Sequence, residues 1–153
     1  MIELRVVDRA YGVVLSELHR ECFPDGWGVA SMDEVLRSPG VYAILAADGE
    51  AAAGLALGRR VADEAELLTV GVAPAFRRRG LGFALVRAVA SVVPLARKLH
   101  LEVAADNPPA LTLYRMMGFE QVGRRKDYYR RLDGRLVDAL TFAIEPRKIA
   151  AVA

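Results

Sequence analysis

The sequence predicts an α/β fold in which helices flank a mixed, mostly antiparallel β-sheet. Residues 67–74 form an apolar run that Pro74 ends, because proline has no N–H to donate to a neighbouring strand. A glycine-containing turn and an amphipathic helical run follow, and residues 98–104 form a second apolar run. These two strands are therefore predicted to be parallel and joined by a right-handed crossover. Asp-Gly pairs at residues 48–49 and 133–134 indicate antiparallel hairpins elsewhere.

Length and composition indicate one globular domain of ordinary size. The chain has 153 residues, of which 26% are charged and 54% are apolar, and its formal net charge is +2. We expect a single domain over residues 1–146 and a flexible tail over residues 147–153, where no helical cap or periodicity is found. A net charge this small gives no support to specific nucleic-acid binding.

The sequence also argues against membrane, disulfide and metal-binding classes. No apolar run approaches the ~20 residues of a membrane span. Charged residues near the N-terminus stand where a signal peptide needs its apolar segment. A single cysteine, Cys22, excludes an internal disulfide and a CxxC metal site. We therefore expect a cytoplasmic protein without a membrane partner or a metal, as a monomer or a weak dimer.

The first part of the chain predicts a strand followed by a helix. Apolar residues at positions 2, 4 and 6 alternate with charged ones, which is typical of a half-buried strand. Asp8 can cap the helix, whose apolar stripe consists of Tyr11, Val14, Leu15, Leu18 and Cys22. His19 lies beside this stripe and is predicted to be a partly exposed surface residue. Cys22 is interpreted as a core residue rather than a nucleophile, because no activating base adjoins it.

An aromatic loop separates this helix from a second one. Residues 23–28 read Phe-Pro-Asp-Gly-Trp-Gly, and residues 31–34, Ser-Met-Asp-Glu, have the spacing of a capping box. Phe23 and Trp27 are candidates for lining an acceptor groove, and burial against the sheet is an equally good interpretation. Residues 41–47 and 51–59 then predict two strands of a hairpin.

The second parallel strand carries a carboxylate in an otherwise apolar setting. Side chains at 99, 101 and 103 share one face, whereas Glu102 lies on the other face with His100. A carboxylate in a central strand is costly unless it has a partner or opens onto a cleft. Glu102 is therefore a candidate general base, and a salt-bridged structural glutamate is the alternative.

The last part of the chain predicts a helix and a hairpin. Asn107 is a good N-cap, and Pro108 suits the first helical position. Spacing places the amide of Asn107 and the phenol of Tyr114 on one helical face, and Gly118 ends the helix. Residues 119–129 and 136–144 form the predicted hairpin.

The turn between the first parallel strand and its helix has the features of an anion site. The first N–H groups of a helix lack partners within it, and the macrodipole places partial positive charge there. Gly80 and Gly82 leave the backbone open, and Arg77, Arg78 and Arg79 add charged donors. A pyrophosphate fits such a turn, although a solvated turn is the alternative.

The run Arg-Arg-Arg-Gly-Leu-Gly over residues 77–82 resembles the (Q/R)-x-x-G-x-(G/A) signature of the GNAT N-acetyltransferases. Within that family, Leu-Glu-Val at 101–103 together with Asn107, Tyr114 and the Tyr128-Tyr129 pair is similar to the bacterial ribosomal-protein alanine N-acetyltransferases. The resemblance implies a GNAT fold, with seven strands, a splayed parallel pair formed by the fourth and fifth, and about four helices. It also implies acetyl-CoA as co-substrate and a protein N-terminus, possibly of a ribosomal protein, as acceptor.

The resemblance implies roles for particular residues. Glu102 corresponds to the proton acceptor and Tyr114 to the proton donor. The acceptor peptide would meet Phe23, Trp27, Tyr128 and Tyr129. The residues expected to contact the coenzyme are Val70, Gly71, Val72, Arg77, Arg78, Arg79, Gly80, Leu81, Gly82, Phe83, Asn107 and Tyr114.

The chemistry favours direct transfer in a ternary complex, since Cys22 is not in a nucleophile setting. Transfer to a small amine such as a polyamine or an antibiotic, or to a lysine side chain, stays open. A coenzyme A-binding module without turnover is a weaker alternative, because a pure binder has no use for both Glu102 and Tyr114. A nucleic-acid module is the weakest alternative, because it leaves the glycine turn unexplained. The aromatic loop is longer than the Phe-Pro-Trp of related enzymes, so the acceptor groove is expected to differ. The five basic residues within 124–131 are interpreted as a solvated strand face, with coenzyme phosphates or ribosomal RNA as alternative partners.

Overall fold

A sheet of seven strands with four helices around it makes up the computed structural model, which describes residues 1–149. The predicted α/β architecture is confirmed. The strands are β1 (Ile2–Val7), β2 (Val41–Asp48), β3 (Ala51–Val61), β4 (Glu64–Val72), β5 (Leu99–Ala104), β6 (Glu120–Arg130) and β7 (Leu136–Ile144). The helices are α1 (Gly12–Cys22), α2 (Val29–Arg37), α3 (Leu81–Val92) and α4 (Pro108–Met117).

The order of strands across the sheet is β1-β2-β3-β4-β5-β7-β6. Every neighbouring pair is antiparallel except β4 and β5, which are parallel as predicted. The β4–β5 pairing consists of Ala65 with Leu99 and Glu66 with His100. Beyond these pairs the two strands separate, which leaves a gap towards their carboxyl ends.

A bulge in β4 lies at the start of this gap. Leu57 of β3 pairs with Thr69, whereas the next residue, Gly58, pairs with Leu67, so Leu68 has no partner across the ladder. A bulge adds a residue to one strand and bends it locally. The pairing of β4 with β5 ends at Glu66, two residues before this bulge.

Two apolar cores lie on opposite faces of the sheet. Alternation along β2 separates them, since Ile44 belongs to the larger core and Leu45 to the smaller one. The larger core packs beneath α3 and α4, and the smaller one packs beneath α1 and α2. The gap between β4 and β5 is therefore bordered by α3 and α4 on one face and by α1 on the other.

The starts of the first two helices differ from the predictions. Asp8 caps a separate 3-10 turn, Arg9–Tyr11, by accepting from the Ala10 N–H, and α1 begins after it at Gly12. Val14 belongs to the exposed side of α1 rather than to its buried stripe. The second helix begins at Val29 with Gly28 as N-cap, so Ser31 lies inside the helix and caps nothing. The preceding Trp27 is hydrogen-bonded to α1, which fixes where the chain can turn into α2.

The segment after β7 begins with more structure than the expected loose tail. Pro146–Lys148 form a 3-10 turn in which Pro146 is buried. Residues 150–153 of the predicted tail lie outside the described residues. Across the described chain, no helix combines the length and the apolar character needed to cross a membrane.

Candidate active site

A cavity of about 460 Å³ opens where β4 and β5 separate. Residues 68–72 of β4 form one wall, and residues 102–104 of β5 form the other. Helix α4 contributes its first turns, and Cys22 and Phe23 at the end of α1 close the opposite face. The cavity thus brings together the elements on which the sequence predicted the candidate residues.

The turn before α3 presents unpaired backbone donors. Among the described residues, no backbone carbonyl accepts from the N–H groups of residues 78–83, and the first helical bond runs from Ala84 to the Gly80 carbonyl at 3.2 Å. Gly80 is the N-cap of α3 with φ of 74°, a left-handed conformation that glycine adopts without steric cost. Six consecutive free donors at a helix N-terminus fit a pyrophosphate group.

The arginines of this turn have different partners. The Arg77 Nε donates to the Val72 carbonyl at 3.0 Å, so it joins the turn to the end of β4, and the residue also lines the cavity. The Arg79 guanidinium lies 5.5 Å from the centroid of the Phe76 ring. Arg78 has φ of 65°, which is uncommon for a residue other than glycine. The side chains of Leu81 and Phe83 pack in or against the larger core, so these positions offer main-chain N–H groups only.

Glu102 lies on the cavity wall in the middle of β5. Its side chain is 27% exposed, and its Oε2 is 3.1 Å from the Arg125 Nε on β6. Glu102 therefore combines the two alternatives that the sequence left open, since it lines a cleft and also forms a salt bridge. No bond to the other oxygen, Oε1, is found within residues 1–149.

Tyr114, on α4, lines the same cavity as Glu102. The residue is only 6% exposed, and its ring packs edge-on against Phe119 with 5.7 Å between the centroids. Burial raises the pKa of the phenol to about 12. The hydroxyl is thus fully protonated at neutral pH and can act as a hydrogen-bond donor.

Asn107 sits where the cavity meets the start of α4. Its Oδ1 accepts from the Ala110 N–H at 3.3 Å, which confirms it as the N-cap. Because this bond uses only the amide oxygen, the amide NH₂ stays available on the cavity side. Pro108 occupies the first helical position, as predicted.

Of the two aromatic residues in the loop between α1 and α2 that were predicted to line an acceptor groove, one lines the cavity. Phe23 lines the cavity, whereas Trp27 is not part of the lining. Trp27 instead stacks on His19, with 4.4 Å between the centroids, and packs against the smaller core. The aromatic residue that reaches the site is therefore the one attached directly to α1.

His19 is a buried residue, and its predicted surface location is wrong. It is 4% exposed and holds three segments together. The Trp27 N–H donates to its Nδ1 at 2.9 Å, and its Nε2 is 3.0 Å from the Thr69 Oγ1 on β4. The helical pattern could not reveal this position, because the loop that covers His19 comes later in the chain.

The final hairpin supplies the rim of the cavity. Tyr129 lines it, and the neighbouring Tyr128 is mostly exposed and packs edge-on against Tyr129. The Arg131 guanidinium bonds both carboxylate oxygens of Asp106 and lies over the Tyr129 ring. This hydrogen bond lowers the pKa of the Asp106 carboxyl.

The basic stretch 124–131 lies on a mostly exposed strand, in agreement with the solvated face that the sequence favours, and three of its five basic residues also form ion pairs. Arg124 pairs with Asp138 at 3.3 Å, Arg125 pairs with Glu102, and Arg131 pairs with Asp106. These contacts join β6 to β7, to β5 and to the start of α4. Much of the local positive charge is therefore balanced by carboxylates that lie far away in sequence.

The sequence analysis missed eight residues that line the cavity: Cys22, Leu68, Thr69, Val103, Ala104, Pro109, Ala110 and Leu113. Thr69 had a detectable signal, since it is the one hydroxyl in an apolar run immediately before the predicted coenzyme contacts. Cys22 and Leu113 resemble ordinary core residues, so no local pattern distinguishes them.

Comparison with known proteins identifies the class of this site. The model of the acetyltransferase (GNAT) family matches residues 13–119, so the chain belongs to that family. A relative from Mycobacterium tuberculosis (strain ATCC 25618 / H37Rv), N-alpha-acetyltransferase RimI, is 36% identical over 137 residues, which cover 84% of this chain and 85% of the relative. The protein is accordingly an N-acetyltransferase that uses acetyl-CoA.

Solved structures agree with this assignment. The crystal structure of the ribosomal-protein-S18-alanine N-acetyltransferase from Escherichia coli superimposes with a TM-score of 0.87 at 25% identity, covering 94% of this chain and 93% of that one. Arabidopsis thaliana NAA60, solved in complex with acetyl-CoA, has a TM-score of 0.77 at 24% identity and covers 94% of this chain and 98% of its own. The latter likeness shows a shared fold.

Proposed function

We propose that this enzyme transfers the acetyl group of acetyl-CoA directly to the α-amino group of a protein N-terminus, an alanine of a ribosomal protein. The observation that carries the proposal is the cavity between β4 and β5, which a carboxylate and a phenol line from facing elements. The Escherichia coli structure named above is, by its name, an enzyme acting on an alanine of ribosomal protein S18. An acceptor of this kind implies a cytoplasmic site of action.

Co-substrate binding is assigned to the turn before α3 and to the free edge of β4. The unpaired N–H groups of residues 78–83 suit the pyrophosphate, with Arg77, Arg78 and Arg79 adding positive charge. Beyond Glu66 the edge of β4 that faces β5 has no strand partner. Apart from the Val72 carbonyl, which accepts from Arg77, the backbone groups of residues 70–72 that face β5 can bond the extended arm of the co-substrate and donate to the thioester oxygen.

Glu102 is proposed to accept the proton of the attacking amine, directly or through one water. A protein α-amino group has a pKa near ~7.7–8.0, so little energy is needed to form the neutral nucleophile near neutral pH. Oε1 is the oxygen available for this role, because Oε2 is paired with Arg125. Arg125 holds the carboxylate in one orientation at the cavity wall.

Tyr114 is proposed to donate to the sulfur of the departing thiolate. Its phenol is protonated at neutral pH because burial raises its pKa to about 12. A donor in a site this poorly solvated interacts more strongly with a developing negative charge than it would in water.

Direct transfer is favoured over a route through an acetylated cysteine. Cys22 lines the cavity, but burial raises the pKa of its thiol, and the nearby Arg77 offsets this only in part. A protonated thiol is a poor nucleophile, since the reactive form is the thiolate. The acceptor would meet Phe23 and Tyr129 at the rim, where Tyr128 packs edge-on against Tyr129, whereas Trp27 stacks on His19.

The test measures acetyl-CoA turnover with peptides that differ only in the first residue, alongside free polyamines and a peptide with a blocked N-terminus and an internal lysine. We expect the alanine peptide to be the best acceptor, by about 10-fold or more over bulky first residues. Fragmentation mass spectrometry should locate the acetyl group on the α-nitrogen.

Faster turnover of polyamines or of the blocked lysine peptide would reject a protein N-terminus as the acceptor. Tight acetyl-CoA binding without turnover of any amine would reject catalysis by Glu102 and Tyr114.

A further inference from the structure

Beside the cavity, the buried His19 is hydrogen-bonded to the partly buried Thr69, and the proposed function gives this pair no role. His19 lies on α1, and Thr69 follows the bulge in β4. The two side chains meet at 3.0 Å between Nε2 and Oγ1. Thr69 also lines the cavity, so its hydroxyl borders both the histidine and the open space.

The bond from Trp27 fixes the tautomer of His19. The Trp27 backbone N–H is always a donor, and it points at Nδ1 from 2.9 Å, so Nδ1 must offer a lone pair. The single ring proton of the neutral imidazole is then on Nε2. Burial lowers the pKa of His19, although the nearby Asp25 opposes this effect, and a neutral ring agrees with the geometry.

The tautomer in turn fixes the direction of the Thr69 hydroxyl. Because Nε2–H donates, the Thr69 oxygen accepts, and the hydroxyl proton has to point elsewhere. Within residues 1–149, the imidazole is the one hydrogen-bond partner found for this hydroxyl. Because Thr69 lines the cavity, the hydroxyl proton can point into it.

The Thr69 side of the cavity is opposite to the phosphate-binding turn. Gly71 lies two residues after Thr69 and therefore on the same face of β4. A Cβ placed on Gly71 would lie 3.0–3.1 Å from Cys22 and Phe23, so this face is the one that α1 covers. Helix α3, whose N-terminus carries the free N–H groups, packs on the other face of the sheet. A group that contacts Thr69 therefore reaches the reaction centre from the acceptor side.

We propose that Thr69 binds the acceptor, donating its hydroxyl proton to the carbonyl oxygen of the acceptor's first residue, and that His19 is the positioning residue that aims this proton into the cavity. The inference rests on the proposed function, in that it assumes a peptide acceptor. In a peptide this carbonyl lies only a few bonds from the attacking amine.

A selectivity for α-amino groups follows from this contact. Lysine side chains and polyamines have no carbonyl next to the reacting nitrogen, so they leave the Thr69 hydroxyl without an acceptor. A donor that the bound amine shields from water but leaves unpaired carries a free-energy cost, which disfavours these amines relative to a protein N-terminus.

The orientation of His19 can be measured directly in the intact protein. Nitrogen-15 spectra of labelled histidine distinguish the two tautomers, and the His100→Gln variant removes the only other histidine signal. We expect His19 to carry its proton on Nε2 near neutral pH. A proton on Nδ1 would overturn the proposal, because Thr69 would then donate to His19.

The kinetic test compares Thr69→Val, which keeps the shape without the hydroxyl, with Thr69→Ser, which keeps the hydroxyl. For Thr69→Val we expect the KM for the alanine peptide to rise about 3- to 10-fold, as for loss of one neutral hydrogen bond, with the KM for acetyl-CoA nearly unchanged. Thr69→Ser should restore most of the peptide KM. The preference for the α-amine over the lysine side chain should narrow in Thr69→Val.

The outcomes separate the two levels of the proposal. A wild-type enzyme that acetylates no peptide removes the proposed function and this inference together. If the wild type acetylates the peptide while Thr69→Val matches it, or if Thr69→Val raises the KM for acetyl-CoA instead, only the role of Thr69 is overturned. Thermal unfolding of all three proteins checks that the folded fraction is equal.

Discussion

Burial determines what Tyr114 can contribute to the reaction. With a pKa of about 12, the phenol is a weaker acid than an exposed tyrosine, whereas a thiol of ordinary pKa, about 8.5, forms a rather stable thiolate. Complete proton transfer to such a thiolate is therefore uphill. A strong hydrogen bond to the departing sulfur, with the proton arriving from solvent afterwards, is the role that fits this environment better.

The first prediction concerns this hydroxyl. Tyr114→Phe should lower kcat about 10- to 100-fold and leave acetyl-CoA binding within about twofold, because the donor acts mainly on the transition state. Steady-state kinetics and calorimetric binding of acetyl-CoA measure the two quantities.

Tyr42→Phe is the matched control. Its hydroxyl is also buried, but it donates to the Val89 carbonyl at 2.8 Å, away from the cavity. It should cost about 1 kcal/mol of stability and leave kcat unchanged. Equal kcat for the wild type and Tyr114→Phe would remove Tyr114 from the mechanism.

The second prediction concerns the base. Glu102→Gln should lower kcat/KM about 100-fold or more, because an amide accepts no proton from the attacking amine, and steady-state kinetics with the alanine peptide measure the loss. His100→Gln is the control, since His100 is on the same face of β5 but is hydrogen-bonded to Glu64 at 2.8 Å, outside the cavity. A large loss of kcat/KM in His100→Gln together with an unchanged value in Glu102→Gln would assign the base to the histidine.

Local patterns located Glu102, Tyr114 and Asn107, because strand alternation and helical spacing follow directly from the order of residues. They did not locate His19, whose burial depends on Trp27 and on a strand formed about fifty residues later in the chain. The partners of Arg125 and Arg131 were hidden for the same reason. Ion pairs between distant elements are set by how the sheet is assembled.

At the scale of helices and strands, a close approach of Gly26 to the backbone of α1 fixes the loop between α1 and α2. A Cβ on Gly26 would collide with the Arg20 Cα and lie 2.6 Å from the His19 carbonyl oxygen. The loop therefore lies against the last turns of α1, which is why Trp27 reaches His19. The longer loop predicted to reshape the acceptor groove depends on this glycine.

The third prediction follows from this contact. Gly26→Ala should destabilise the protein by roughly 1–3 kcal/mol and raise the KM for the peptide, because the loop must move away from α1. Gly28→Ala is the control, since a Cβ there meets nothing within 4 Å. Chemical denaturation measures the stabilities, and equal values for the two variants would contradict the account.

The bulges illustrate a feature of the strands that the sequence did not reveal. Besides the bulge at Leu68, the β6–β7 register shifts between Arg125 and Tyr129, and the Asp127 N–H is bonded to the Asp138 carboxylate at 2.9 Å. Both strands read as ordinary alternating runs. A bulge arises from how two strands are matched, so a single strand's sequence does not encode it plainly.

For the chain as a unit, the fourth prediction concerns stability and pH. The pKa of His19 in the folded protein is lower than its ordinary value of 6.5, chiefly because of burial. At pH values between the pKa of folded His19 and 6.5, the unfolded chain binds more protons than the folded one. The contribution of His19 to the free energy of unfolding is therefore complete above pH 6.5 and falls as the pH drops below it. We expect the Tm to decrease from pH 7.5 to pH 5.5.

The His19→Gln variant tests this origin, because it lacks the titrating group. Its Tm should be lower throughout and should change less over the same pH interval than that of the wild type. A wild-type Tm that rises towards pH 5.5 would contradict the assignment.

The fifth prediction concerns the gap between β4 and β5. Backbone amides of residues 67–72 on the side facing β5 should exchange with solvent faster than those of β2, and acetyl-CoA should slow them selectively. Hydrogen–deuterium exchange with and without acetyl-CoA measures this difference. Uniform slowing across the sheet would indicate general stabilisation instead.

The short pairing of β4 with β5 also has a mechanical consequence. The sheet consists of two groups of strands, β1 to β4 and β5 to β7. The backbone pairs Ala65–Leu99 and Glu66–His100 join the two groups at one end of the gap. A slight rotation of one group of strands about these two pairs would change the distance between Glu102 and Thr69, which lie beyond them. Ala65 and Leu99 are buried and do not line the cavity, but we expect substitutions at either position to change kcat.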